Sequence, residues 1–298
     1  MKEEINMSLI PVKFKFTTKE KIIMSIIMVL MIIGIVITWI NYIESAKIKA
    51  QHELAQKQLQ EAIIQEQKEA ERKRQEKLPN LTEEGKENIK HIYSSDSKRA
   101  FLTFDDGPSN NTSQILDILK EKGIKATFFV LGSNVDKKPE IVKRMYEEGH
   151  FIANHGYSHI YANIYQSPEA VLNEYNQCNQ AVRNAIGEQE YNSHLFRFPG
   201  GLAGGKYAEI KNQANTLLLE NNIVHVDWNA LNGDSEITNP TIEYEMQKIM
   251  DTTANKQSVV ILMHDAEVKK ATVEALPSII DYLSGQGYVF KNFYEIIK

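Results

Sequence analysis

Acidic and histidine side chains at two places in the sequence have the types and spacing of a metal site. Asp105 and Asp106 stand side by side after an apolar run, and His155 and His159 follow about fifty residues later, four positions apart. Two imidazoles and one carboxylate hold a divalent ion while leaving positions open for water and substrate, which is typical of a catalytic site. The second carboxylate is then free to act as a base.

The acidic pair needs compensation if the apolar run before it is a buried strand. Two adjacent carboxylates cannot both stay charged there without a counter-charge, which a bound cation would supply. The alternative is a solvated turn, because Gly107 and Pro108 follow the pair. The motif alone leaves both interpretations open.

The spacing of His155 and His159 places them on one face if the segment is helical, although Gly156 leaves the local conformation open. A chance pair is the alternative in a chain with eight histidines. The upstream carboxylates and the predicted strand end favour metal ligation.

A second group of polar residues follows another apolar run, where Arg197, Pro199 and Gly200 occur. Arg197 could orient a carboxylate through two parallel hydrogen bonds, and Gly200 could offer its amide N–H to a developing oxyanion. Taken singly, a surface arginine followed by a turn is the alternative.

His264 ends a further apolar run, where it could act as an acid towards a leaving group. A nearby carboxylate would help to keep it protonated near neutral pH, and Asp227, Asp234 and Asp265 are the candidates. The alternative is a histidine that only forms a hydrogen bond at a strand end.

The elements that must position these groups alternate after residue 98. Short apolar runs predict strands at 100–104, 126–131, 151–153, 195–198, 223–228, 259–263 and 288–290. Amphipathic stretches predict helices at 113–122, 139–148, 168–186, 207–221, 241–252 and 271–284. This alternation predicts an α/β fold, a distorted (β/α) barrel of about seven strands, in which catalytic groups lie where strands end.

The segment before the barrel predicts a membrane anchor. Residues 22–40 form a run of 19 residues without a charge, long enough to cross a bilayer as a helix. Five lysines precede the run, whereas Lys47 and Lys49 are the nearest positive charges after it, so we expect a single-pass protein of the cell membrane with a cytoplasmic N-terminus and an extracellular catalytic domain. A cleaved signal peptide is the alternative.

The residues after the apolar run are rich in Gln, Glu, Lys and Ala, which favours a helical stalk, and Pro79 would end it before a polar linker. The predicted domains are a cytoplasmic segment at 1–21, a transmembrane helix at 22–40, a stalk and linker at 41–97, and a catalytic domain at 98–298.

The bulk composition excludes one class of partner. The 298 residues carry a formal net charge of -5, and no basic stripe occurs in the predicted globular part, so nucleic acid is not an expected partner. The single cysteine, Cys178, cannot form an intramolecular disulfide and is predicted to be a small buried side chain.

In their order, the motifs resemble the polysaccharide deacetylases of family four of the carbohydrate esterases, the NodB-like domain, over about residues 98–298. The resemblance implies Asp105 as the base and Asp106, His155 and His159 as the metal ligands. Zinc is the first expectation for the ion, and cobalt, manganese and nickel are alternatives.

The same resemblance extends to Arg197 with Pro199 and to His264, and it implies that Arg197 holds the base and His264 protonates the leaving amine. Two positions depart from the family. Gly200 stands where the family often has an aromatic residue, and Ser235 stands where a tryptophan usually follows the aspartate that pairs with the histidine. Asp234 is favoured as that aspartate.

The activity implied by the resemblance is metal-dependent hydrolysis of the N-acetyl group of N-acetylglucosamine in a cell-wall glycan. Peptidoglycan is the expected substrate, because that polymer lies within reach of a tethered extracellular domain. The alternatives are deacetylation of another surface polysaccharide or a chitin oligomer, and a catalytically silent glycan-binding module.

Overall fold

The computed structural model describes residues 15–298 of the chain. The helices in this range are α1 (Thr18–Glu76), α2 (Glu83–Lys90), α3 (Asn110–Lys122), α4 (Gly132–Val135), α5 (Pro139–Glu147), α6 (Tyr161–Ile164), α7 (Pro168–Ile186), α8 (Ala208–Glu220), α9 (Ile242–Thr253) and α10 (Lys270–Gly285). The strands are β1 (Arg99–Asp105), β2 (Thr127–Val130), β3 (Phe151–Asn154), β4 (Leu195–Phe196), β5 (Val224–His225), β6 (Ala230–Leu231), β7 (Ser258–His264) and β8 (Val289–Phe290). A 3₁₀ helix spans Phe293–Glu295.

Every helix and strand predicted after residue 98 is present, with its ends shifted by a few residues. Besides the 3₁₀ helix, four short elements were not predicted in this part of the chain or just before it, namely α2, α4, α6 and β6. They contain 8, 4, 4 and 2 residues. A periodic apolar pattern needs a longer window than these elements provide.

The strands form one parallel sheet in the order β5-β4-β3-β2-β1-β7-β6, and β8 pairs with the start of β1. The edge strands β5 and β6 share no ladder, yet only residues 226–229 connect them. A connection of this length spans at most roughly 18 Å, so the two edges must come close and the sheet must curl. The predicted distorted barrel is therefore confirmed, with an open seam between β5 and β6.

Alternation along β1 decides which side chains enter the barrel. Leu102 and Phe104 belong to the core between the sheet and the surrounding helices, whereas Phe101 belongs to a second core on the opposite face. Because successive strand residues point to opposite faces, Thr103 and Asp105 share the inner face with Phe101. The catalytic candidate Asp105 therefore points into the barrel by strand geometry alone.

The predicted polar linker before β1 is instead part of the globular unit. Leu81, Ile89 and Ile92 are buried and join the inner core with Phe101, and Thr82 caps α2 by accepting a hydrogen bond from the Gly85 amide. The compact unit accordingly extends over Lys73–Lys298. The expectation of a linker up to residue 97 was wrong because a few isolated apolar residues in a polar segment give no recognisable periodicity.

The helix α1 runs without a break from Thr18 to Glu76, so the segment predicted to form the stalk is helical, as expected. Among the described residues it is the one helix that is long and apolar enough to cross a membrane, and none of its residues is buried. Residues 1–14 of the predicted cytoplasmic segment lie outside the described residues. The orientation of the anchor and its membrane insertion stay predictions.

The packing of α2 gives a prediction about which soluble fragment folds. A fragment of residues 97–298 lacks the buried side chains of Leu81, Ile89 and Ile92, each worth about 1.5–3 kcal/mol of burial. A fragment of residues 73–298 keeps them. We expect thermal unfolding followed by circular dichroism to show a melting temperature at least about 10 °C lower for the shorter fragment. Equal melting temperatures would show that α2 adds nothing to the core.

Candidate metal centre and active site

The carboxyl ends of neighbouring parallel strands bring the candidate residues to one edge of the sheet. Asp105 ends β1 and His264 ends β7, and these two residues are direct partners in the strand register. His155 follows β3, and Arg197 follows β4. The predicted placement of all these groups at strand ends is therefore confirmed.

Three donor atoms converge beside Asp105. One ligand atom from each of Asp106, His155 and His159 lies within 4.8 Å of the other two. The Asp106 Oδ1 atom is 3.6 Å from His155 Nε2 and 3.4 Å from His159 Nε2. Two ligands of a tetrahedral zinc ion are about 3.3–3.6 Å apart, so the spacing fits a metal ion of this size.

The Asp106 carboxylate gives a second sign that the site accommodates a cation. Its Oδ1 atom is buried and has no hydrogen-bond partner among the described residues. An unpaired buried carboxylate oxygen is unfavourable, and a cation at the point shared with the two histidines would satisfy it. The backbone of Asp106 has φ 77°, and the Asn134 amide holds its carbonyl at 2.8 Å. The aspartate is therefore fixed in an uncommon conformation that directs it to the site.

His155 is prepared for ligation by its surroundings. Its Nδ1 lies 2.7 Å from the Arg197 carbonyl, so Nδ1 carries the proton and the Nε2 lone pair faces the site. Burial lowers the pKa of His155 to about 3, which keeps the imidazole neutral. A neutral imidazole is the form that binds a metal ion.

The segment that carries both histidines is a loop and not a helix, so the two side chains do not share a helical face. The Glu174 carboxylate on α7 holds this loop by accepting hydrogen bonds from the amides of Tyr157 at 2.6 Å and Ser158 at 2.7 Å. His159 itself adopts φ 56°. Glu174 was missed by the sequence analysis, because nothing in the pattern of α7 distinguishes it from other polar residues.

The Asp105 carboxylate is buried and paired with Arg197, which is itself fully buried. Arg197 Nη1 donates to Asp105 Oδ1 at 2.8 Å and to the Thr103 hydroxyl at 2.8 Å. The predicted pair of parallel hydrogen bonds to one carboxylate was wrong, because the other guanidinium donors go to the carbonyls of Val226 and Asp227. Burial raises the pKa of Asp105, although Arg197 opposes the shift.

Gly200 is exposed and directly follows the buried Pro199. The Tyr165 hydroxyl donates to the Pro199 carbonyl at 2.7 Å. Because the C=O and N–H of a trans peptide point in opposite directions, this bond also fixes where the Gly200 N–H points. The side chain that is missing at Gly200 leaves room for Tyr161, whose hydroxyl lies 2.7 Å from the position of a Cβ added there.

Of the three carboxylates considered for His264, the structure selects Asp234. Asp234 Oδ1 lies 2.7 Å from His264 Nδ1, and Oδ2 accepts the His264 amide at 2.8 Å. Asp265 instead accepts a hydrogen bond from Thr112, and Asp227 accepts the amide of Leu202.

A buried network holds Asp234 in place behind the histidine. Its Oδ2 accepts the Thr272 hydroxyl at 2.9 Å, and Lys269 donates to its carbonyl at 2.7 Å. Burial lowers the pKa of His264, but the hydrogen bond and negative charge of Asp234 outweigh it and raise the pKa to about 9. The imidazole is therefore protonated at neutral pH. Ser235, which replaces the family's tryptophan, is exposed and takes no part in this network.

Known proteins are similar to this chain in sequence. A family profile described as polysaccharide deacetylase matches residues 93–218. A peptidoglycan-N-acetylglucosamine deacetylase of Bacillus cereus is 34% identical over 201 residues, which cover 66% of this chain and 70% of that protein. PgdA of Listeria monocytogenes, a peptidoglycan-N-acetylglucosamine deacetylase, is 33% identical over 201 residues, which cover 67% of this chain and 39% of its own length.

Solved structures agree with these relatives. The structure of a Streptococcus mutans CE4 esterase has a TM-score of 0.63 and 32% identity, and the match covers 69% of this chain and 90% of that one. The chain belongs to the polysaccharide deacetylase family. It is therefore a metal-dependent hydrolase of acetylated polysaccharides.

The hydrogen bond from Tyr165 gives a prediction about the Gly200 amide. Tyr165→Phe leaves the Pro199 carbonyl without its donor, so the Gly200 N–H is held less firmly, and we expect kcat for acetate release to fall about tenfold with little change in KM. Steady-state kinetics on an N-acetylglucosamine oligomer measure both constants. Tyr294→Phe is the matched control, since that hydroxyl also donates to a main-chain carbonyl, of Lys77, at 2.7 Å. An equal fall of kcat in both variants would show that the effect comes from a general loss of packing and not from the Gly200 amide.

The pair of His264 and Asp234 gives a prediction about pH dependence. If the protonated form of His264 is the acid, as the sequence analysis expects, activity is lost as pH rises through its pKa of about 9. Asp234→Asn removes the charge that raises this pKa, and burial then dominates. We expect the alkaline limb of the kcat/KM profile to move down by about one pH unit or more. An unchanged alkaline limb would contradict the assignment of His264 as the acid. Asp281→Asn is the control, since Asp281 forms an exposed ion pair with Lys122.

Proposed function

We propose that the chain removes the acetyl group from N-acetylglucosamine residues of a cell-wall glycan, most directly peptidoglycan. The observation that carries the proposal is the meeting of three metal-donor atoms with a buried carboxylate, Asp105, and with a protonated histidine, His264. These groups are the base, the acid and the ion-holding residues that hydrolysis of an amide requires. The Bacillus cereus and Listeria relatives, which are described as acting on peptidoglycan, support the choice of substrate.

Asp106, His155 and His159 would hold the metal ion, for which zinc fits the two imidazoles and one carboxylate. Cobalt, manganese and nickel accept similar donors and are the alternatives. When bound, such an ion polarises a carbonyl group and lowers the pKa of water. His159 has a side chain that is 34% exposed, so one side of the centre is open to a substrate.

Asp105 is the residue that accepts the proton of the attacking water. Burial raises its pKa and so increases its basicity, while the hydrogen bond from Arg197 fixes one carboxylate oxygen and leaves the other, Oδ2, 3.8 Å from His155 Nε2. The base therefore faces the three donor atoms, and its position is set by an arginine that cannot move without breaking four hydrogen bonds.

The remaining two residues act on the atoms that change charge later in the reaction. The Gly200 N–H donates a hydrogen bond to the oxyanion that forms from the acetamide carbonyl. His264 gives its proton to the sugar nitrogen when the C–N bond breaks. The products are acetate and a free amino group on the sugar, and Asp234 keeps the imidazole in the orientation needed for the transfer.

The tethering of the chain supports the glycan assignment. We propose that residues 22–40 of α1 cross the cell membrane, with residues 1–21 in the cytoplasm and the unit that starts at Lys73 outside the cell. The catalytic unit and the wall polymer then lie on the same side of the membrane. Deacetylation of another surface polysaccharide or of chitin oligomers is the alternative that differs only in the polymer.

The two positions that depart from the family do not favour a silent glycan-binding module, because the groups of the proposed reaction are retained at both. Gly200 keeps the backbone N–H that the reaction uses, and Asp234 pairs with His264 although Ser235 replaces the tryptophan. Both departures therefore leave the groups of the proposed reaction in place.

Metal removal tests the proposed function. We expect the full-length chain in detergent to release acetate from peptidoglycan and from N-acetylglucosamine oligomers, to lose this activity after chelation, and to regain it with zinc. Comparing peptidoglycan with chitin oligomers and other acetylated polysaccharides identifies the preferred polymer. Absence of acetate release from all of them in the metal-loaded protein would contradict the proposal.

Two variants separate the roles of the adjacent aspartates. Asp105→Asn should keep its metal content and lose activity about 100-fold or more, because only the base is removed. Asp106→Asn should lose metal, as measured by elemental analysis after dialysis. An Asp105→Asn variant with parental activity would show that the base lies elsewhere.

A further inference from the structure

Tyr161 stands at the edge of the site with an unused hydroxyl group. It is the first residue of α6, its side chain is 38% exposed, and its ring centroid lies 5.7 Å from that of His159. Its hydroxyl lies 2.7 Å from the position of a Cβ added to Gly200. The ring of Tyr161 therefore lies beside one of the three donor residues, and its hydroxyl lies beside Gly200, whose amide is the proposed oxyanion donor.

The position of Tyr161 is set by other aromatic rings. Its centroid lies 5.6 Å from that of Tyr165 and 6.4 Å from that of Tyr207. Tyr165 is buried and donates to the Pro199 carbonyl, whereas the Tyr161 hydroxyl has no hydrogen-bond partner within residues 15–298. A phenol that is fixed by ring packing and keeps a free donor binds a polar ligand at little conformational cost.

The acetamide must lie between the three donor atoms and the Gly200 amide, so the sugar that carries it passes next to Tyr161. A sugar presents hydroxyl groups around an apolar ring face, and an exposed phenol matches both features. A side chain at Gly200 would collide with the Tyr161 hydroxyl. The space beside Gly200 is therefore filled by the side chain of Tyr161, which comes from α6.

We propose that Tyr161 is a specificity-determining residue that binds the N-acetylglucosamine residue undergoing deacetylation. Its hydroxyl donates a hydrogen bond to a sugar oxygen next to the acetamide, and its ring forms the wall of the pocket beside Gly200. The inference rests on the proposed function, since it assigns the sugar contact of the same site.

Kinetics of the full-length chain in detergent test this role. We expect Tyr161→Phe to raise KM for an N-acetylglucosamine oligomer about three- to tenfold, with kcat within about twofold, because one hydrogen bond to the bound sugar is lost. Tyr161→Ala should raise KM further, because the wall is also lost. Tyr282→Phe, on α10, is the matched control and should keep parental constants, since it removes the same hydroxyl group from a residue outside the proposed site.

Binding measured without turnover makes the test independent of catalysis. In an Asp105→Asn background, titration calorimetry with the same oligomer should give a Kd about three- to tenfold weaker when Tyr161→Phe is added. If Kd and KM both stay at the parental values in the two Tyr161 variants, the inference is overturned. It is also overturned if Tyr161→Phe lowers metal content or melting temperature in proportion to activity, since the role is then structural. A parent chain that releases no acetate overturns the proposed function instead, and the Kd comparison still decides on Tyr161.

Discussion

The buried ion pair between Asp105 and Arg197 is the interaction on which the site depends. A guanidinium that is fully removed from water is stable only if its charge and its donors are satisfied, and here they reach Asp105, Thr103 and two main-chain carbonyls. The main-chain carbonyl of Arg197 also accepts the proton of His155 Nδ1. One residue therefore fixes both Asp105, the proposed base, and His155, a proposed metal donor, and a shift of β4 would displace the two together.

The other catalytic groups are held by partners from elements far away in the sequence. Glu174 on α7 holds the histidine loop, Asp234 after β6 holds His264, and Tyr165 after α6 orients the Pro199–Gly200 peptide. The strand register adds the remaining constraint, since Asp105 and His264 are direct neighbours on β1 and β7. The proposed base and the proposed acid are thus placed by sheet geometry, while their orientation comes from hydrogen bonds outside the sheet.

Sequence patterns were sufficient for long elements and failed where tertiary contacts decide local structure. The alternation of apolar runs with amphipathic stretches predicted the parallel sheet and its helices, because each element buries one regular face. The prediction of a linker was wrong because the side chains of Leu81, Ile89 and Ile92 pack into the inner core of the barrel. This core exists only in the folded chain. The i, i+4 spacing of the histidine pair does not decide between a helix and a loop, because it does not reveal that Glu174 accepts hydrogen bonds from the amide groups of this segment.

The sequence by itself determined the types of group that enter the reaction and the fold that collects them at strand ends, since residue chemistry and hydrophobic periodicity are local properties. Only the tertiary structure decided that Asp234 rather than Asp227 or Asp265 pairs with His264, and that Tyr161 fills the space beside Gly200. These choices depend on distances between residues that are remote along the chain. Such distances arise from packing, which no local pattern records.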